Sequence, residues 1–329
     1  MKITDLTLLD VPSIDARDQN QNFSGREAMR NRIARLFVLT TLLFLPAIVE
    51  AADRNLNCST GTITDFLPRL RPGDRLLVTG TCNENVSIGA RFTNITLENQ
   101  GSATINGTDA TANTISIQGR GITIRGFTIT GGSRGIIVNR GGSATIDGNT
   151  IQNTGSDGIQ VSENATARII NNTIQNNPDT GISVFENSSA RIGFMLGSET
   201  TASPNTIQNN TGRGILLSRS SSARIVGNTI SGNGDDGIGV TRASQADIAS
   251  NTLSNNTGDG IFVSGNSHAQ LGADTGSGIF DLPNGGSGNT GFGINCAQQS
   301  VVDGRQGTIT GVSGATNLAT GGCTNSVIP

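Results

Sequence analysis

Two groups of side chains in this 329-residue chain have the types and spacing that chemistry requires. The first is acidic. Asp235 and Asp236 are adjacent, and Asp259 follows 23 residues after Asp236. If residues 23 apart are neighbours in space, these three carboxyls meet. Carboxyls about 5–5.5 Å apart suit a retaining glycosidase, and about 6.5–9.5 Å an inverting one. Acids that close also push one of the pair to a higher pKa, as a general acid needs. The second group is basic: Arg213, Arg219 and Arg224, with Arg191 upstream. A guanidinium grips a carboxylate through two parallel N–H bonds, so these residues are candidates for binding an anionic polysaccharide. Both groups also have a plainer reading. Asp before Gly is ordinary turn chemistry. Arg134 with Asp157, and Arg213 with Asp236, have the spacing of cross-coil ion pairs worth under about 1 kcal/mol each.

The elements that must position these groups follow from an internal repeat. A Gly-Ile pair recurs at Gly135, Gly158, Gly181, Gly214, Gly237 and Gly260, and again at Gly293, with gaps of 23, 23, 33, 23, 23 and 33. The long gaps are one repeat plus a ten-residue loop, after Phe194 and after Leu271. Each unit holds three short alternating stretches: Gly-Ile-x-Val, Ala-x-Ile and Asn-Thr-Ile. Alternation buries one face of a strand and wets the other. A unit of this size cannot bury its apolar face alone, but stacked units can. The expected fold is therefore all-β, a parallel β-helix of about 23 residues per coil, with adjacent coils ~4.8 Å apart. Ile136, Ile159, Ile182, Ile215, Ile238 and Ile261 form one expected internal column. Asn149, Asn172, Asn205, Asn228 and Asn251 form an expected amide ladder. Residues from Thr64 to Leu70 are expected to make a helical cap over the first coils. An outward column runs Thr145, Arg168, Arg191, Arg224, Asp247, Gln270. Stacked Arg repel one another. Glu163 and Glu186 are placed to neutralise Arg168 and Arg191, which leaves the coil from Arg213 to Arg224 as the most cationic point, with Asp236 and Asp247 as its nearest acidic partners.

Composition bounds the partners. The net charge of −3 excludes a bulk electrostatic case for nucleic acid. Trp and Tyr, the common stacking platforms for sugars, are absent. Residues 1–28 are polar and patternless, and read as a non-structural leader. Residues 29–51 read as a signal peptide: Arg30, Arg32 and Arg35, the apolar run Leu36 to Val49, then Val49-Glu50-Ala51. Residues 52–329 are then the β-helix domain, secreted or periplasmic, with no membrane span after cleavage. Four Cys lie in that domain in two pairs, Cys58 with Cys82 and Cys296 with Cys323, and an oxidising compartment lets both close as disulfides. The lone His268 argues against zinc and reads as a surface residue in a turn.

The string PGDRLLV followed by GTCNENVSI, with the Gly-Ile-x-Val and Asn-Thr-Ile units, resembles the right-handed parallel β-helix repeat of the pectate-lyase-like superfold in its bacterial exported form. The resemblance covers most of residues 60 to 315. It implies polysaccharide chemistry in many relatives and none in others, since that superfold also holds tailspikes and adhesins. It implies no obligatory cofactor, but Ca²⁺ held by Asp235, Asp236 and Asp259 is consistent with its lyases. The polygalacturonase-like motif set is incomplete: Asp235-Asp236 stands where an acid pair would, but Gly258-Asp259-Gly260 replaces the His motif and no Arg-Ile-Lys is present. The leading expectation is an exported polysaccharide-binding β-helix. The alternatives are a polysaccharide lyase or glycoside hydrolase using the Asp cluster, and a non-catalytic structural or adhesive surface protein.

Overall fold

The computed structural model describes residues 51–195, 201–272, 282–319 and 322–328. The leader and the signal segment up to residue 50 lie outside these. The described chain is a right-handed parallel β-solenoid of about 11 turns. Each coil contributes one short strand to each of three faces. In the coil from Ile159 these are Ile159–Val161 (face B), Thr166–Ile170 (face A) and Thr173–Gln175 (face C). Face A is a continuous 12-stranded sheet whose neighbours lie one coil apart.

The register is the one the Gly-Ile repeat predicts. Ile136 pairs with Ile159, Ile159 with Ile182, Ile182 with Ile215, Ile215 with Ile238 and Ile238 with Ile261. The column extends to Ile115 below and Ile294 above. All of these side chains are fully buried. At about 25 cal/mol per Å² of apolar surface removed from water, such columns are the main source of stability. The insertions do not break the register. Each leaves the stack directly after a face A strand and returns before the next ladder Asn, Asn205 or Asn284, so coils on either side still pair.

Three hydrogen-bonded ladders close the turns. In the expected Asn ladder, each amide oxygen accepts the backbone N–H and the side-chain N–H of the Asn one coil below. Asn149 donates to Asn172 Oδ1 at 2.9 and 3.0 Å, and the pattern runs through Asn205, Asn228 and Asn251 to Asn284. A second ladder, which the repeat reading missed, runs from Thr154 through Asn177, Asn210, Asn233 and Asn256 to Asn289. A third is made of hydroxyls: Ser188, Ser221, Ser244, Ser267 and Ser300 each accept a backbone N–H from the coil below. The signals were present as recurring Asn and Ser at 23-residue spacing. Each satisfies a buried backbone donor that a turn would otherwise orphan.

The cap lies one residue earlier than expected and is split into two turns. A one-turn helix spans Ile63–Phe66 and a 3₁₀ turn Leu67–Arg69. Ile63 and Leu67 are buried over the first coils, while Phe66 is only partly covered. The Glu84 carboxylate accepts the N–H groups of Ile63 and Thr64, which anchors the helix start. The solenoid begins ahead of the PGDRLLV string. Asp53–Asn57 already forms a face A strand paired with Arg75–Thr79. Only Leu56 in that strand is buried, so its sequence carries almost no apolar alternation. Both expected disulfides are present, Cys58–Cys82 at the first coils and Cys296–Cys323 at the last.

Candidate functional site

The acidic cluster lies at the turn entering face B. Asp157, Asp236 and Asp259 are all buried. Their oxygens are engaged. Asp236 Oδ1 accepts the Asp259 backbone N–H at 2.9 Å, and Asp236 Oδ2 accepts Arg213 Nε at 2.8 Å. Asp259 repeats the pattern one coil on: Oδ1 accepts the Phe292 N–H and Oδ2 the Asn295 amide. Asp157 does the same with the Thr180 N–H and the Ser183 hydroxyl. Asp235 is half exposed and meets Arg213 Nη2 at 3.2 Å. Burial pushes the Asp236 carboxyl up to about 6, against the opposing hydrogen bond from Arg213. Burial does the same to Asp157, also to about 6, against the Ser183 hydrogen bond.

This arrangement fits a turn lock better than a cation cradle. A Ca²⁺ site needs several free carboxylate or carbonyl oxygens facing one point. Here the Arg213 guanidinium already fills the place a cation would take between Asp235 and Asp236, so these residues do not fit the ion. Gly239 is required beside them, because a Cβ there would lie 2.9 Å from Arg213 Cδ and displace the side chain from Asp236. Among the described residues, the group that does bring three metal-ligating side chains within reach of one another is Cys58, Cys82 and Glu84, whose two sulfurs are joined in the disulfide.

The basic residues divide among three places rather than forming one cationic coil. Arg213 belongs to the face B turn, paired with Asp235 and Asp236. Arg219 sits in the turn between faces B and A, 2.9 Å from Glu186 and stacked 6.0 Å from the Phe185 ring. Arg191 and Arg224 stand on face A, paired in register with each other and with Arg168. The expected neutralisation of Arg168 and Arg191 by Glu163 and Glu186 is corrected. Those glutamates occupy left-handed turn positions, at φ 57° and 55°, and reach along the turn to Arg140 and Arg219 instead. His268 is also relocated: it starts the face A strand His268–Leu271, with Nε2 3.3 Å from Asp303 Oδ2.

Arg168, Arg191 and Arg224 lie in a groove of about 560 Å³ along face A. The strand spacing sets them ~4.8 Å apart. Beside them runs a row of Ser143, Thr166, Ser189, Ser222 and Gln245, which supplies hydroxyl and amide hydrogen-bonding groups. Thr145 lies at one end of the Arg column and Asp247 at the other, 3.4 Å from Arg224 Nε. Arg168 is exposed, and its side chain has no ion-pair or hydrogen-bond partner among the described residues. The groove therefore presents a short cationic track flanked by neutral donors and acceptors. Sequence reasoning had the column but misassigned its neutralising partners, because sequence spacing alone does not say which way a turn side chain points.

A three-faced stack of short parallel strands with in-register ladders defines a right-handed parallel β-helix protein. The chain matches the family described as right handed beta helix region over residues 76–194 and 184–275, and it belongs to that family. Among solved structures it is similar to the periplasmic alginate epimerase AlgG (TM-score 0.58, 14% identity, 84% of this chain and 73% of that one). It is also similar to the pectate lyase Pel9A (TM-score 0.56, 14% identity, 85% and 78%). At that identity the likeness is one of fold. Among curated proteins it is 34% identical over 125 residues to a cell surface glycoprotein of Methanothermus fervidus, covering 36% of this chain and 20% of that protein. No helix among the described residues is long and apolar enough to cross a membrane.

Proposed function

We propose that this protein is an exported β-helix that binds an anionic polysaccharide laid along the groove of face A. The observation that carries the reading is the in-register column of Arg168, Arg191 and Arg224. Like charges directly opposite on neighbouring strands are unfavourable unless an anion offsets them. A linear polymer bearing carboxylates along its length matches a column of guanidinium forks, and the adjoining hydroxyl row suits sugar hydroxyls. Export is supported by two disulfides, which persist in oxidising compartments. A place at the cell surface is supported by the name of the curated relative.

The test is calorimetry of the purified protein against polygalacturonate, alginate and a neutral glucan. The acidic polymers are expected to bind and the neutral one not. Arg168→Ala is expected to weaken binding about tenfold, and loss of all three arginines by at least about 100-fold. Equal binding by the triple variant would overturn the groove reading. Silence across the panel would favour a passive scaffold. The same samples report turnover: reducing ends or unsaturated products that vanish in Asp236→Asn would point to an enzyme acting at the face B turn.

A further inference from the structure

We propose that Phe194, which immediately precedes the first insertion, is a positioning residue that holds Arg191 and Arg224 in the groove. The proposal rests on the reading of face A as an anion-binding groove. Phe194 does not line that groove. It is nevertheless fully buried on the outer side of the sheet, in a small cluster with Val226 and Ala249 that is separate from the main core.

The local geometry explains why. Gly193 stands where the flanking coils have Ile170 and Val226, and its φ of 95° turns the chain out of the sheet. A Cβ at Gly193 would collide with the Val226 carbonyl oxygen, so the exit requires glycine. The turn delivers the Phe194 ring beside two guanidinium groups on adjacent strands. Arg191 Cζ lies 5.8 Å from the ring centroid and Arg224 Cζ 5.5 Å. Both are within the range of cation–π attraction. The next residue adds a second grip: the Met195 carbonyl oxygen accepts Arg191 Nη1 at 3.3 Å. Arg168, one coil below, has no ring beside it.

One aromatic face thus offsets the repulsion of two neighbouring cations and restricts their rotamers before any ligand arrives. Restricting rotamers in advance removes an entropic cost from binding. Phe194 acts on affinity through the arginines rather than by lining the groove. The groove then consists of two pre-set guanidiniums and one mobile one.

The experiment uses the whole protein, with ¹⁵N-detected dynamics of the Arg Nε–Hε groups and trigalacturonate as the binding probe. In the wild type, Arg191 and Arg224 are expected to be ordered and ring-shifted, and Arg168 mobile. In Phe194→Leu both become more mobile, though less so than Arg168 because the Met195 carbonyl and Asp247 still hold them, and trigalacturonate affinity falls about tenfold. Its dependence on salt is unchanged, because the charges remain. Phe194→Tyr, which restores the ring, recovers order and affinity. If Leu unfolds the insertion, Phe194→Met, closer in length, gives the same readout. Arg191 and Arg224 as mobile as Arg168 in the wild type, or unaffected by loss of the ring, would overturn the proposal. Ordered arginines released by the Leu variant, in a protein that binds no trigalacturonate, would uphold the positioning role and overturn the groove reading alone.

Discussion

Asn228→Ala is expected to destabilise the protein by about 5 kcal/mol, a loss few single substitutions reach. Asn228 is 1% exposed and sits mid-ladder. Its Oδ1 accepts the Asn205 N–H at 3.1 Å and the Asn205 amide at 2.9 Å. Its Nδ2 donates to the Ile192 and Val226 carbonyls and to Asn251 Oδ1. Alanine removes the amide but none of those partners. Each buried group left unsatisfied costs about 1–3 kcal/mol. Asp is a sharper control, since it keeps the acceptor and loses the donor. Urea unfolding of the two variants checks the expectation. A change under about 1 kcal/mol would mean that the ladder is solvated or that the turn relaxes.

Stability is also expected to rise as the pH falls from about 7.5 towards 5. Asp157 and Asp236 titrate near 6 in the folded chain, against an ordinary value of 3.8. Between those values the folded state binds more protons than the unfolded state. The stabilisation from protonation is therefore full below 3.8 and lost as the pH rises through 6. At 1.36 kcal/mol per unit, each aspartate contributes on the order of 3 kcal/mol. The trend reverses at lower pH. Hydrogen bonds from Arg75 hold Asp53 below the usual carboxylate range, and those from the Thr111 hydroxyl and N–H do the same for Asp109, so protonating either is unfavourable. The optimum is expected near pH 4, where the carboxylates of the unfolded chain begin to protonate. Scanning calorimetry across this range is the measurement, and about 2–4 °C of Tm per kcal/mol is expected for a domain approaching this size. Asp236→Asn keeps an acceptor for the Asp259 N–H and removes one titrating group, so it should remove about half of the pH dependence. A Tm that climbs steadily from pH 5 to 7.5 would contradict the linkage.

The two expectations differ in how far they were legible beforehand. Asn228 could be read as a ladder residue from its 23-residue spacing, because stacking converts sequence period directly into spatial adjacency. The second ladder through Asn177 and Asn210 had the same signal and went unread, since Asn-Asn and Asn-Pro look like plain turn text. The burial of Asp236 was not legible. Asp-Asp-Gly reads as an exposed turn, whereas the Asp236 carboxylate folds inward to accept the Asp259 N–H and the Arg213 guanidinium.

The sequence by itself determined the architecture: period, three strands per coil, the internal Ile and Asn columns, the sites of the two insertions and the pairing of the four cysteines. These follow from short-range alternation and a constant repeat, which leave one register that buries the Ile, Val and Leu columns. Only the tertiary structure decided which charges meet. Glu163 and Glu186 turn away from the Arg column, Arg213 is drawn into a buried lock, and Phe194 reaches two arginines on different coils. Long side chains carry several rotatable bonds, so their partners depend on turn conformation and on neighbours one coil away. Neither is encoded in the period.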